Sequence, residues 1–272
     1  AGDNAAAAVG TGVVTDGKAF TTIGTSGVVF AHTDKISIDP QGRVHTFCCA
    51  VPGAWHVMGV TQGAGLSLKW FRDNFCQAEK DTAAGMGVDP YVLMDQEAGQ
   101  SPIGCNRLLY LPYLMGERTP HLDPDCRGVF FGLSAMHTKR DLLRAVMEGV
   151  TYSQRDSVEI LRGMGVELRE MLACGGGGTS PLWRQMLADT YNCPVKTVKS
   201  KEGPALGVAI LAGVGVGLYP SVQEACKAMI QLNPAQEPIP ENVPQYEAFY
   251  QVYKSLYPAL KENYKLLAAT GA

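Results

Sequence analysis

The 272-residue chain lacks several features by which common functional classes are recognised. Its formal net charge is −3, from 23 Lys and Arg against 26 Asp and Glu, so it has neither the basic surface of a nucleic-acid-binding protein nor an acidic tail. No apolar run reaches the length of a membrane span, and no signal peptide precedes the first predicted element. We therefore expect no nucleic-acid partner and no membrane association.

Cysteine is present, but not in a pattern that binds metal. The eight cysteines include no C-x-x-C pair and no Cys/His spacing typical of a zinc site. Five of them lie beside apolar or aromatic residues, as small buried side chains do. We expect free thiols, a cytoplasmic location and no metal ligands in this chain.

The most informative segment is a run of four glycines, Gly175 to Gly178, between an apolar stretch and Thr179-Ser180-Pro181. No Lys-Ser or Lys-Thr follows, so it is not a Walker A loop, and it does not match the dinucleotide fingerprint. Ser180 suits a helix N-cap and Pro181 the first helical turn. A strand, a glycine loop and a helix N-terminus let a nucleotide approach bare backbone. A glycine run is also an ordinary turn, and both interpretations stay open from this segment alone.

Hydrophobic periodicity predicts a mixture of strands and helices. Four early strands, which we expect to form an antiparallel meander, and four later ones are predicted at 19–23, 28–31, 44–50, 55–61, 108–111, 129–133, 168–173 and 195–198. Helices are predicted from residue 3 or 4 to about 10 or 12, after the glycine run, and at 64–75, 91–98, 139–164, 203–216 and 221–230. A proline-rich linker precedes a final helix whose aromatic stripe we assign to the core. The charged loop around Glu117, Arg118 and Asp123 is expected to be solvated. All strands are expected to close on one sheet, which gives an α/β fold with mixed strand directions.

A second glycine turn, Gly24-Thr25-Ser26-Gly27, separates two of the early strands. Its backbone N–H groups and hydroxyls suit phosphate oxygens. The alternative is a plain hairpin turn built from turn-forming residues.

Asp3 is the only acid near the amino end and precedes a predicted helix. It is either an ordinary N-cap or a carboxylate aimed into a cleft, where it would accept a proton from a hydroxyl that attacks a phosphoryl group. The chain starts without Met and almost directly in a helix, so we expect it to be part of a longer protein.

Taken together, these segments resemble the FGGY family of carbohydrate kinases. Residues 2–6, which include Asp3, resemble the catalytic-aspartate loop of that family, residues 23–27 its second phosphate motif, and residues 175–180 its adenosine loop. Residues 113–120 are similar to the pentulose-kinase form of the family. A longer and more specific signature is matched at Gly128, Phe130, Gly132, Leu133, Asp141, Leu142, Ala145, Val146, Met147 and Glu148.

The resemblance implies a role for each matching residue. Asp3 would be the general base that deprotonates the sugar hydroxyl. The nucleotide-binding residues implied are Gly24, Thr25 and Ser26 at the β- and γ-phosphates, Gly65 at the nucleotide, Gly175, Gly176 and Gly177 against adenosine, and Ser180 where relatives have an Asn that contacts adenine.

The fold implied is the actin-like ATPase (ribonuclease H-like) fold, with a mixed sheet flanked by helices. Residues 1–16 would end a sugar-binding N-terminal domain, and residues 17–272 would form the C-terminal ATP-binding domain. The implied activity is ATP-dependent phosphorylation of a ketopentose, with D-xylulose as the expected acceptor and Mg²⁺ as the metal. The implied partners are the sugar, ATP and the missing N-terminal domain, with a homodimer as one open assembly. Two alternatives remain: a nucleotide-binding module that is inactive alone, and a kinase for ribulose, gluconate or glycerol.

Overall fold

The computed structural model describes residues 1–200 and 202–271. The strands are β1 Gly17–Ile23, β2 Gly27–Thr33, β3 His45–Cys48, β4 Trp55–Thr61, β5 Leu109–Leu111, β6 Val129–Phe131, β7 Leu168–Cys174 and β8 Val195–Lys196. The helices are α1 Asp3–Thr11, α2 Ala64–Phe75, α3 Gln77–Met86, α4 Pro90–Ala98, α5 Lys139–Gly163, α6 Pro181–Tyr191, α7 Gly203–Gly215, α8 Val222–Met229 and α9 Val243–Ala269. A single 3₁₀ turn, Gly177–Thr179, lies between β7 and α6.

Six strands form one mixed sheet in the order β3-β4-β2-β1-β7-β8. The pairs on the β7 side, β1–β7 and β7–β8, are parallel, and the other three pairs are antiparallel. The mixed strand directions are confirmed, but the meander is wrong, because β4 and not β3 lies beside β2. The single sheet is also wrong, since β5 and β6 pair with each other in a separate two-stranded sheet.

Helices cover both faces of the large sheet because side chains alternate along its strands. On β1, Ala19 belongs to the main core cluster with residues of α5, α6 and α9, whereas Phe20 packs with Ala8 of α1. The aromatic stripe of α9 is in the main cluster, as predicted: Tyr246, Tyr250 and Tyr253 are almost fully buried.

Helix α1 is held against α7 by small residues. A Cβ added to Gly10 would collide with the carbonyl oxygen of Gly203, and one added to Gly207 would collide with that of Ala6. The two backbones therefore touch, and glycine is required at both contact positions. The contact fixes the position of Asp3 at the start of α1.

The long helix α5 carries most of the family-like signature and ties down the loop at residues 101–107. Asp141 forms a capping box with Thr138 at the start of the helix. The same carboxylate accepts hydrogen bonds from Ser101 Oγ at 2.7 Å and Asn106 Nδ2 at 3.0 Å. Two turns further on, Glu148 accepts the backbone N–H of Gly104 at 3.1 Å. These acids of the signature therefore hold the loop in place.

Four further findings concern burial and helix length. Helix α3 was not predicted, because it is short and buries only Glu79 and Ala83. The prediction that the loop around Glu117 is solvated is wrong for its two acids, since Glu117 and Asp123 are both buried. All eight cysteines are free and five are buried, as predicted. Within residues 1–200 and 202–271, none of the helices combines the length and apolar character that a membrane span needs.

Candidate functional site

The turn between β1 and β2 lies directly against the start of α2. The backbone N–H of Gly65 donates to the carbonyl oxygen of Gly24 at 2.7 Å, and the backbone N–H of Leu66 donates to the carbonyl oxygen of Thr25 at 3.1 Å. A Cβ on Gly65 would collide with the Gly24 carbonyl oxygen, so glycine is needed there for the close approach. The first turn of α2 therefore holds the hydroxyl-bearing turn in a fixed position.

The glycine run continues β7 into a tight loop beside Ile23, the last residue of β1. Gly175 has a φ of +75° and leaves no room for a Cβ, which would lie 2.7 Å from the Ile23 carbonyl oxygen. A Cβ on Gly177 would lie 2.5 Å from the Ile23 side chain. Ser180 then caps α6 by accepting the backbone N–H of Trp183 at 3.0 Å, as predicted.

Gly176 is different from these two neighbours. Its φ and ψ of −59° and −43° are ordinary helical values that any residue adopts. An added Cβ would meet no atom within 4 Å. Neither backbone conformation nor packing inside the protein requires glycine here, and the exposed backbone faces open space.

These segments surround a cavity of about 750 Å³, which we call the glycine-loop cleft. Its walls come from the β1–β2 turn, the first turns of α2, helix α4 and the segment from Gly176 to Trp183. The predicted site residues that line it are Gly24, Thr25, Gly65, Gly176, Gly177 and Ser180. Tertiary structure thus brings two glycine turns, about 150 residues apart in sequence, to one cleft.

The other predicted residues lie outside this cleft. Ser26 is exposed in the β1–β2 turn and does not line it. Asp3 and Gly175 line an adjoining groove of about 1260 Å³, which we call the α1 groove. The cleft and the groove share Gly176 and Thr179, so the glycine loop separates Asp3 from the β1–β2 turn.

Asp3 does not cap α1. The N-cap is Gly2, and Asp3 is the first helical residue, with its Oδ1 accepting the backbone N–H of Asn4 at 2.8 Å. Its side chain is exposed, and acids in the first turn are stabilised by the helix dipole. The position suits a carboxylate that meets a substrate, and its role as the general base stays a prediction.

The polar residues of the cleft that were missed at the sequence level are Lys69 on α2 and Asp89, Tyr91, Asp95 and Gln96 at α4. Lys69 follows Gly65 by four residues and so shares its helix face, a spacing that identifies it from sequence. Asp95 on α4 has no such signal, because α4 reaches the cleft only through tertiary packing. Burial raises the pKa of Asp95, and a hydrogen bond from Ser180 acts in the opposite direction.

The cleft fits a nucleotide, but the described residues do not build a metal site. The volume, the open backbone at Gly176 and the Thr25 hydroxyl suit a nucleoside phosphate. Within the described part of the chain, no three His, Cys, Asp or Glu side chains are grouped so as to hold a metal ion.

Comparison with known proteins supports this interpretation. Residues 19–216 match the profile of the FGGY family of carbohydrate kinases, C-terminal domain. A xylulose kinase of Staphylococcus epidermidis is 41% identical over 96% of this chain and 51% of its own length. A gluconokinase of Bacillus subtilis is 33% identical over 98% and 52%.

The structural neighbours agree with the sequence relatives. The xylulose kinase of Rhodospirillum rubrum superimposes with a TM-score of 0.86 at 27% identity, over 97% of this chain and 51% of its own. The expected actin-like ATPase fold is confirmed by such neighbours. The chain spans about half the length of the curated relatives that it matches. The matched profile, the relatives and the fold together show that this chain belongs to the FGGY family of carbohydrate kinases.

Proposed function

We propose that this chain is the ATP-binding part of a kinase that phosphorylates D-xylulose to D-xylulose 5-phosphate. The observation that carries the proposal is the convergence of the β1–β2 turn, the start of α2 and the glycine loop on one cleft. The similarity to xylulose kinases supports D-xylulose as the acceptor. The sugar site would lie in an N-terminal domain that precedes residue 17.

Asp3 would take the proton from the attacking sugar hydroxyl. Its carboxylate is exposed and lines the α1 groove, where an acceptor bound by another domain could reach it. Phosphoryl transfer passes through a loose in-line transition state, so positioning and charge stabilisation dominate catalysis. A positioned base contributes a factor of about 10² to 10⁴.

The β1–β2 turn would hold the phosphates of ATP, and the glycine loop would lie against the adenosine. Thr25 and Ser26 are exposed, so their hydroxyls are available to phosphate oxygens. The open backbone at Gly176 allows close approach of the nucleoside. Mg²⁺, when bound, would neutralise phosphate charge. Closure of the two domains would exclude water, which otherwise competes with the sugar as acceptor.

The decisive experiment is steady-state kinetics on the complete protein with ATP and D-xylulose. We expect Asp3→Asn to lower kcat by about 10²- to 10⁴-fold while leaving ATP binding within about twofold. Asp81→Asn, an exposed acid on α3, is the matched control and should keep full activity. A kcat within about tenfold of wild type for Asp3→Asn would contradict the assignment of Asp3 as the general base.

A second candidate is a nucleotide-binding module without catalysis, favoured by the coverage of only half of each relative. Calorimetry with ATP and an activity assay on residues 1–272 separate the two, since the module binds nucleotide without turnover. The acceptor is tested by a panel that includes ribulose, gluconate and glycerol, because a gluconokinase is also a relative. A homodimer, a cytoplasmic location and the domain boundary at residue 16 stay predictions.

A further inference from the structure

A buried carboxyl group that the proposed mechanism does not use lies beside the entry to α2. Glu117 is 3% exposed and belongs to the long connection between β5 and β6. Its backbone pairs with that of Asp123: the Glu117 N–H donates to the Asp123 carbonyl oxygen at 2.8 Å, and the reverse bond is 2.9 Å. The backbone pair fixes Glu117 within its own loop, while its side chain extends to a different segment of the chain.

The Glu117 side chain binds the backbone just before α2. Its Oε1 accepts the backbone N–H of Gln62 at 2.8 Å and the backbone N–H of Arg118 at 2.7 Å. Its Oε2 accepts the hydroxyl of Ser153, on α5, at 3.4 Å. The pairing of β4 with β2 ends at Thr61, so Gln62 lies one residue beyond the strand ladder. The carboxyl oxygen therefore takes the place that a neighbouring strand has at the preceding positions.

The same loop fixes the entry to α2 at a second point, and α2 in turn fixes the β1–β2 turn. Gly63, the N-cap of α2, has no side-chain cap, and a Cβ on it would collide with the Pro112 carbonyl oxygen. Two residues later, Gly65 donates its N–H to the Gly24 carbonyl oxygen at 2.7 Å. A short path of backbone contacts thus leads from Glu117 to the turn that carries Thr25.

We propose that Glu117 is a positioning residue for the phosphates of the nucleotide. It determines where the backbone enters α2, and the first turn of α2 determines the position of the Gly24 carbonyl group and of the β1–β2 turn. Glu117 does not line the glycine-loop cleft, so it acts through this backbone and not by contact with the ligand. The inference rests on the proposed function only in that the β1–β2 turn binds the β- and γ-phosphates. Small displacements of such a turn weaken phosphate binding, because binding groups act only within a narrow range of positions.

The test is calorimetric binding of AMP and ADP to the complete protein. The two nucleotides share adenosine and the α-phosphate, and ADP adds the β-phosphate that the turn would bind. We expect wild type to bind ADP at least about tenfold more tightly than AMP. Glu117→Met removes both acceptor oxygens and leaves the Gln62 N–H without its partner. It should weaken ADP binding by about tenfold, the effect of one hydrogen bond lost at a buried group, with AMP binding within about threefold of wild type.

Two control variants separate positioning from a general loss of structure. Glu117→Gln keeps an oxygen that accepts the same two N–H groups, so its ratio of AMP and ADP dissociation constants should stay within about twofold of wild type. Thr119→Val is the matched control in the same loop. The Thr119 hydroxyl accepts the N–H of Val60 at 3.1 Å and donates to the Arg43 carbonyl oxygen at 2.8 Å. Because Val60 lies inside the paired part of β4, we expect the ratio to be unchanged in this variant.

The ratio of the two dissociation constants decides the proposal. A merely structural role for Glu117 would weaken AMP and ADP binding equally, so an unchanged ratio in Glu117→Met overturns the inference. A wild-type protein that binds AMP and ADP equally, or a ratio lost in Glu117→Gln as well, overturns it too. If Glu117→Met does not fold, Glu117→Asp decides by the same measure, because a side chain one methylene shorter draws the carboxyl group back from Gln62.

These outcomes are distinct from failure of the proposed function. A protein whose ratio falls in Glu117→Met, but which phosphorylates no sugar, would retain the inference and lose the kinase activity. A protein that phosphorylates D-xylulose and whose ratio is unchanged in Glu117→Met would retain the activity and lose the inference.

Discussion

The ion pair between Arg144 and Glu148 is buried inside α5, and we predict that breaking it strongly destabilises the fold. The two side chains are 8% and 2% exposed, and Arg144 Nε lies 2.7 Å from Glu148 Oε1. The guanidinium also donates to the Ser101 carbonyl oxygen at 2.9 Å and to Tyr246 Oη at 3.0 Å. Burial raises the pKa of Glu148 even with the arginine beside it, so the pair is held at a desolvation cost.

Removing one partner leaves the other charge buried without compensation. Such a change costs about 3–5 kcal/mol, a large fraction of the roughly 5–15 kcal/mol that stabilises a typical domain. We therefore expect Glu148→Gln and Arg144→Met each to lower the free energy of unfolding by about 3 kcal/mol or more. The double variant Arg144→Met/Glu148→Gln removes both charges, so it should lose clearly less than the sum of the single losses.

The measurement is urea denaturation followed by circular dichroism, arranged as a double-mutant cycle. The control is Glu224→Gln, which breaks the exposed pair with Lys227 and should change the free energy of unfolding by at most about 1 kcal/mol. The reasoning fails if Glu148→Gln costs less than about 1 kcal/mol, or if the two single effects add within about 0.5 kcal/mol in the double variant.

Two further predictions concern the cleft and the effect of pH. Gly176→Val should weaken ADP binding by about tenfold or more without lowering the melting temperature, because its side chain would enter the cleft. Gly177→Val, the control, should destabilise the protein by about 1–3 kcal/mol, since it would overlap Ile23. Equal effects of the two variants on melting temperature would contradict this assignment. Burial raises the pKa of Glu117 from 4.5 to about 8. The folded state then keeps a proton that the unfolded state releases, so stability falls as pH rises from about 4.5 to about 8. Glu117→Gln should not show this loss, because glutamine does not titrate. We therefore expect the free energy of unfolding of the variant, relative to wild type, to be about 2–4 kcal/mol higher at pH 8.5 than at pH 5, as measured by urea unfolding. A gain that does not change with pH would refute it.

The sequence by itself determined most local elements, because their signals lie within a few residues. The bounds of α2 at 64–75 and of β4 at 55–61 agree with the predicted ones, and Ser180 caps α6 as expected. The separate motifs also identified the family, which the matching profile confirms. Helix α3 was not predicted from the sequence, because a short, mostly exposed helix has little apolar periodicity.

Tertiary structure alone decided which strands are neighbours and which residues meet in the cleft. β4, and not β3, lies beside β2 in the sheet. This pairing is set by long-range packing and not by the order of the strands in the chain. The four glycines are equivalent in sequence, yet Gly175 and Gly177 fit against Ile23 whereas Gly176 faces open space. Asp95 carries no motif and becomes part of the site only because α4 packs beside the glycine loop. Local patterns extend over one or two turns, whereas a binding site is assembled from distant segments whose contacts form only in the folded chain.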